Sequence, residues 1–415
     1  MGECMFSWIT ELSGRERKTL IATFGGWAVV AIDVMVYIYV IPTLITVWGM
    51  SKKEAGSIIT VTVIASAIGG WMAGILADKY GRVRILQLAV LWFAFFTFLC
   101  GFTNSYHQLL FTRALQGLGF GGEWAVGAVL IGEMIRPEHR GKAVGTMQSG
   151  WAIGWGAANI LYVLLYQLLP ESTAWRAMFW TGILPALLVF YIRKNVQEPE
   201  VFSATQDKVK EKGGHFLEIF SPPLLKTTVL ASLMTTGMMV GYYAVFTWLP
   251  TFLKTERGLS IMGTGWYTMV VILGSFAGYL VAAYWSDQLG RKKTFFIFAA
   301  GSAIIAVLYT LMPINNTMML FLGFPLGFFV SGNFSGCGPF LTELFPSRVR
   351  GSGQGFVYNV GRGLSAFTAP VVGGMSAGMP LGQSIGIVAV AGFAVVILTV
   401  SLFPETRGKA LAVYD

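Results

Sequence analysis

Apolar runs of about twenty residues or more recur along the whole chain, divided by connections too short to be domains. A helix crossing hydrocarbon needs about 20 such residues. The runs predict helices over 19–48, 54–77, 84–102, 108–135, 141–169, 174–192, 227–253, 262–285, 293–311, 317–345, 351–376 and 382–402. Charged residues make up only 12% of the chain, against roughly 25% in a soluble domain. Lipid must therefore replace water over much of the surface. A transmembrane barrel is excluded, because its alternating segments are only about 10 residues long. The chain reads as an all-α membrane protein with twelve transmembrane helices.

An even number of spans puts both ends of the chain on one side. That side holds 22 of the 29 Lys and Arg residues, and the positive-inside rule makes it cytoplasmic. The net charge of +9 lies in brief clusters between apolar runs, so nucleic acid is not an expected partner. Cys4, Cys100 and Cys337 form no C-x-x-C pair, and His107, His139 and His215 sit near loops, so no metal or cofactor is expected. No G-x-x-x-x-G-K-[ST] run occurs, which argues against ATP-driven transport and against an enzyme. The first long run exceeds the length of a signal peptide, so no cleaved leader is expected.

Two motifs repeat. GILADKYGRVR at 74–84 returns as AYWSDQLGRKK at 283–293, with Asp78 and Asp287 209 positions apart. GEMIRPEHRG at 132–141 returns as TELFPSRVRG at 342–351, and Glu133 and Glu343, like Arg140 and Arg350, are 210 apart. The chain therefore divides into two related six-helix bundles, 1–192 and 227–415, joined by a polar cytoplasmic linker over 193–226. Asp78, Arg82, Glu133, Arg140, Asp287, Arg291, Glu343 and Arg350 all fall on the cytoplasmic connections. They are expected either to latch the two halves when the cavity opens outward or simply to cap helices.

These motifs resemble those of the major facilitator superfamily. The loop at 74–84 is similar to its signature between helices two and three, RALQGLG at 113–119 to its fourth-helix motif, and PETRGKA at 404–410 to its ending after helix twelve. Within that superfamily the chain resembles the sialate:proton symporter group and relatives carrying lactate, pyruvate, dicarboxylates and aromatic acids. The resemblance rests on WAVVAIDVMVY (27–37), LGFGGEWAVG (118–127), WRAMFWTGILPALLVFYIRKNVQEPE (175–200) and YYAVFTWLPTFL (242–253). Where many relatives carry two first-helix aspartates, this chain has Val30 and Asp33, which leaves the acid open. The resemblance implies a multi-pass protein of a bacterial inner membrane, acting as a monomer in the lipid bilayer.

Ionisable residues inside a span are costly and mark function. Four lie well inside the predicted spans: Asp33, Arg113, Glu123 and Arg362. A carboxylate in a partly dry cavity can exchange protons near neutral pH, so Asp33 and Glu123 are candidates for proton coupling. A guanidinium can hold a carboxylate through two parallel hydrogen bonds. Arg362 and Arg113, from opposite halves, are therefore candidates for a substrate clamp, with Arg113 alternatively in a structural ion pair. Asn359, Asn333, Asn159, Tyr242, Tyr243 and Tyr37 complete the expected substrate site. The expected function is uptake of a small organic acid anion with protons by alternating access. A carrier of a neutral sugar-like solute and a drug or metabolite exporter are the alternatives.

Overall fold

A computed structural model describes residues 8–135, 137–184, 186–196, 216–346 and 349–407. Much of the linker, residues 197–215, and the side chains of Asp78, Glu133, Arg140, Asp287 and Arg350 lie outside the described residues.

The long helices are α1 Gly14–Trp48, α2 Lys52–Tyr80, α3 Arg82–Cys100, α4 Tyr106–Met134 and α5 Pro137–Leu168. The sixth, α6, runs from Glu171–Trp180 through a 3₁₀ turn at Thr181–Ile183 to Ala186–Asn195. The second set is α7 Pro222–Thr255, α8 Ile261–Gln288, α9 Arg291–Thr310 and α10 Asn316–Leu344, then α11 and α12 Leu381–Ser401. Sequence predicts α11 as one helix, but it is split into Arg350–Ser365 and Thr368–Met375. Among the described residues ten helices are long and apolar enough to cross a membrane. The two that are not among them are α4, which carries Arg113 and Glu123, and the divided α11, which carries Arg362. Below, "proximal" denotes the side of Gly14 and Ser401, and "distal" the opposite side.

Polar side chains start the helices. Ser13 and Ser51 form capping boxes with Glu16 and Glu54 at the starts of α1 and α2. Ser105, Ser260 and Asn315 cap α4, α8 and α10. Each supplies an acceptor to an amide that the helix leaves unbonded. On the outside, Trp71, Phe111, Phe190, Phe321 and Leu398 are each more than 60% exposed, as a lipid-facing perimeter allows and water would not.

The repeat seen in sequence is repeated in backbone geometry. Gly81 and Gly290, 209 positions apart, end α2 and α8 with φ of 105° and 102°, a region that favours glycine. The arginine that follows each one reaches back onto the helix just finished. Arg82 Nη1 donates to the Ala77 carbonyl at 3.0 Å, and Arg291 Nη1 to Ser286 Oγ at 2.9 Å. Arg291 also pairs with Glu343 at 2.9 Å, and Glu343 accepts from Thr406. Glu405 caps α9 by accepting from the Arg291 and Lys292 amides at 2.9 and 3.1 Å. Partial burial pushes the Glu405 carboxyl up, but four backbone donors outweigh it and hold the group below the usual range. Arg291 and Glu343 pair inside the second half, where these contacts tie α8, α9, α10 and the segment after α12 together.

Close backbone crossings complete each half. A Cβ on Gly69 would overlap the Leu118 carbonyl oxygen, and one on Gly121 that of Ser66, where α2 crosses α4. In the same way Gly274 meets the Phe324 carbonyl and Gly327 that of Val271, where α8 crosses α10. Small residues are what allow membrane helices to approach so closely. We expect Gly121→Ala and Gly327→Ala each to cost about 1–3 kcal/mol through overpacking. Detergent thermal unfolding should show lower midpoints for both, whereas Gly14→Ala, which meets nothing within 4 Å, should unfold as the parent does.

Candidate functional site

On α4, Arg113, Gln116, Phe120 and Glu123 follow at intervals of three, four and three, which places them on one face of the helix. The glycines between them let α2 and α3 pack closely on other faces. The polar face is left toward α1 and the seam between the halves.

At its distal end this face makes a buried ion pair. Asp33 of α1 accepts hydrogen bonds from the Thr97 hydroxyl of α3 and from Gln116 Nε2, and Arg113 Nη1 lies 3.6 Å from Asp33 Oδ2. Arg113 and Asp33 are 2% and 1% exposed. Arg113 lies only two turns into α4, yet the fold closes over it. Its guanidinium also stands 5.2 Å from the Tyr37 ring centroid, and the Tyr37 hydroxyl donates to the Ala55 carbonyl at 2.7 Å. The Asp33 carboxylate is paired and hydrogen-bonded at once, whereas Arg113 Nε and Nη1 have the ion pair but no hydrogen-bond partner among the described residues.

In the middle of the face the second half reaches in. Arg362, in the last turn of the first α11 segment, holds its guanidinium 5.3 Å from the Phe120 ring centroid and 5.2 Å from that of Tyr358. Tyr243 of α7 is within electrostatic reach of the same group. A guanidinium over aromatic faces gains cation–π attraction, largest where water is excluded. Beside it an aromatic column crosses the seam. Tyr242 packs edge-on to Phe246 and Phe334, Phe246 packs on Trp155 of α5 at 4.8 Å, and Trp155 Nε1 donates to Tyr39 of α1 at 3.1 Å.

The expected asparagines do not share one role. Asn159 donates to the Gly265 carbonyl at 2.9 Å and ties α5 to α8 across the seam. Asn333 is turned outward within its own half, toward Ser302 at 3.1 Å and its own helix at Phe329. Asn359, half-buried, bonds the Gly355 carbonyl one turn back. In Asn159 and Asn333 these bonds use the amide nitrogen alone, and each buried side-chain oxygen has no hydrogen-bond partner among the described residues. At the proximal end of the α4 face, Glu123 is fully buried, and neither carboxylate oxygen has a hydrogen-bond partner among the described residues. Residue type alone did not reveal Thr97, Gln116 and Phe120. The α4 spacing from Arg113 carries the signal for the last two.

Asp33, Arg113, Glu123 and Arg362 are at most 3% exposed, so a solute gains access only if the halves move. Distally they are joined by the Thr60 hydroxyl to the Ala366 carbonyl at 2.7 Å and by Lys254 to Glu171 at 3.1 Å. Two repeated helix bundles with charge buried at their seam define a membrane carrier. The chain belongs to the Major Facilitator Superfamily, whose sequence model matches residues 23–277 and 253–413, and is a transporter, not an enzyme. It is 41% identical, over 98% of its own length and 95% of the relative's, to a probable 4-methylmuconolactone transporter of Cupriavidus pinatubonensis. It is 28% identical to the sialic acid transporter NanX of Escherichia coli, over 95% and 96% of the two chains. A crystal structure of a D-xylose-proton symporter shares the fold with a TM-score of 0.76 at 23% identity, over 95% of this chain and 99% of that one.

Breaking the buried pair from one side should be severe. We expect Asp33→Ala to destabilise the protein by about 3–5 kcal/mol, because it strands the Arg113 charge. Replacing both residues, as Asp33→Ala with Arg113→Met, should restore much of the loss. Detergent thermal unfolding of the two variants against the parent measures the difference.

Proposed function

We propose that the protein takes up a small organic acid anion together with protons, by alternating access in a bacterial inner membrane. The chain termini face the cytoplasm and the transporting unit is the monomer. The observation that carries this reading is Arg362, a permanent cation held at the seam between an aromatic ring of each half. A carboxylate arriving when the halves part replaces ring contacts with two charge-assisted hydrogen bonds. Phe120, Tyr243 and Tyr358 then exclude water from the bound anion. Closure over it is favoured because the guanidinium belongs to one half and its wall to the other.

Carrying negative charge through low dielectric is costly, and a co-transported proton offsets it. Asp33 and Glu123 are the carboxylates placed to take that proton. Arg113 serves Asp33, so the two-arginine clamp reduces to Arg362 as the substrate cation, with Tyr242 and Tyr37 as wall and support. The relatives named for sialic acid and 4-methylmuconolactone support a small oxygen-rich organic solute. The excess of Lys and Arg on the proximal connections supports the orientation.

Proteoliposomes given radiolabelled sialic acid, 4-methylmuconolactone, lactate, pyruvate, dicarboxylates and aromatic acids, with and without a pH gradient, test the reading. At least one acid should accumulate only when the outside is more acidic. Arg362→Ala and Arg362→Lys should each weaken its apparent affinity at least about tenfold, near the 1.5–3 kcal/mol of a hydrogen bond to a charged group, with thermal unfolding unchanged. Equal affinity in both variants, or uptake of neutral sugars alone, contradicts the assignment.

A further inference from the structure

We propose that Glu123 is the seat of the coupled proton, that Asp33 is the fixed counter-ion of Arg113, and that Gly26 holds the space in which Glu123 works. This rests on the proton-coupled reading above and decides between its two carboxylates.

The two acids lie toward opposite ends of the α4 face and have different surroundings. Asp33 receives Thr97, Gln116 and Arg113 together, and a proton added there would leave a buried guanidinium without its anion. Glu123 has no partner on either oxygen among the described residues. Gly26 of α1 lies against it, with Leu188 of α6 near the same glycine and Gly127 beside it on α4. None of the three titrates, and among the described residues no donor or cation reaches either Glu123 oxygen within hydrogen-bond distance. An anion there would have nothing to offset its desolvation, so the side chain is neutral in this closed state.

Placement fits the task. Glu123 is one helical turn from Phe120, whose ring lies under Arg362, and about 15 Å along α4 from Arg113. The anion at Arg362 thus lies between the fixed ion pair and the proton seat, with Glu123 on the proximal side. A proton enters a Glu123 oxygen from water on one side of the membrane, crosses with the carboxylate, and leaves to water on the other. No bond of the solute changes. Gly26 is the steric condition: a Cβ at that position would overlap Glu123 Oε1, whereas one on Gly25 would meet only Leu188 Cδ1 at 3.4 Å.

A pH step applied without any solute to protein in a solid-supported membrane reads the seat directly. The parent should give a transient charge displacement, retained in Glu123→Asp and reduced at least about tenfold in Glu123→Gln. A transient that persists in Glu123→Gln, or disappears only in Asp33→Asn, overturns the proposal. Should Glu123→Gln fail to fold, Gly26→Ala must move the pH midpoint of the transient while Gly25→Ala leaves it in place. An unmoved midpoint in Gly26→Ala is equally fatal. Since no solute is present, failure of the organic-acid reading shows separately, as absence of carboxylate uptake by the parent.

Discussion

Hydrocarbon offers an ionised side chain nothing to bond, and the arrangement around α4 follows from that. Arg113 is kept by Asp33, Asp33 is kept further by Thr97 and Gln116, and Arg362 lies between aromatic rings. Each charge is made tolerable by a different device. The ion pair is internal to one half and so can persist while the halves move. The aromatic cradle is shared between halves and cannot. That contrast, more than the presence of two arginines, separates the structural cation from the one suited to a travelling solute.

The two halves are related by more than their charged motifs. Positive-φ glycines at the same register turn the chain after α2 and α8, and the next arginine in each case anchors the turn to the helix before it. Glycine crossings of α2 with α4 and of α8 with α10 repeat the packing. The seam has close backbone contacts of its own, Gly56 against Ala369 and Pro370 and Gly373 against the Lys52 carbonyl, beside side-chain bonds such as Asn159 to Gly265.

Hydropathy made ten of the twelve helices plainly legible, because most spans are apolar along their length, whereas α4 and the divided α11, which carry Arg113, Glu123 and Arg362, fall short among the described residues. The four buried ionisable residues were legible for the complementary reason, that lipid penalises them. Their pairing was not. Whether Arg113 faces a solute or Asp33 depends on rotation about α1 and α4, which spacing along one helix does not fix. Thr97 and Gln116 were silent because a neutral polar residue in a span is common enough to carry no message. The bonds that Asn333 and Asn359 make to backbone of their own helices were equally silent, because any buried amide can bond a carbonyl one turn back. Repetition of Arg291 and Glu343 announced a functional turn without saying that the charges would close within one half.

The break in α11 has a meaning beyond its geometry. Pro370 has no amide hydrogen, so the Ala366 carbonyl four residues earlier lacks its usual helical donor, and Thr60 of the other half fills the vacancy. An N–H at 370 would compete for that oxygen, and a residue without a hydroxyl at 60 would leave it bare. The two positions therefore act as one joint, 306 residues apart in sequence between hydroxyl and carbonyl.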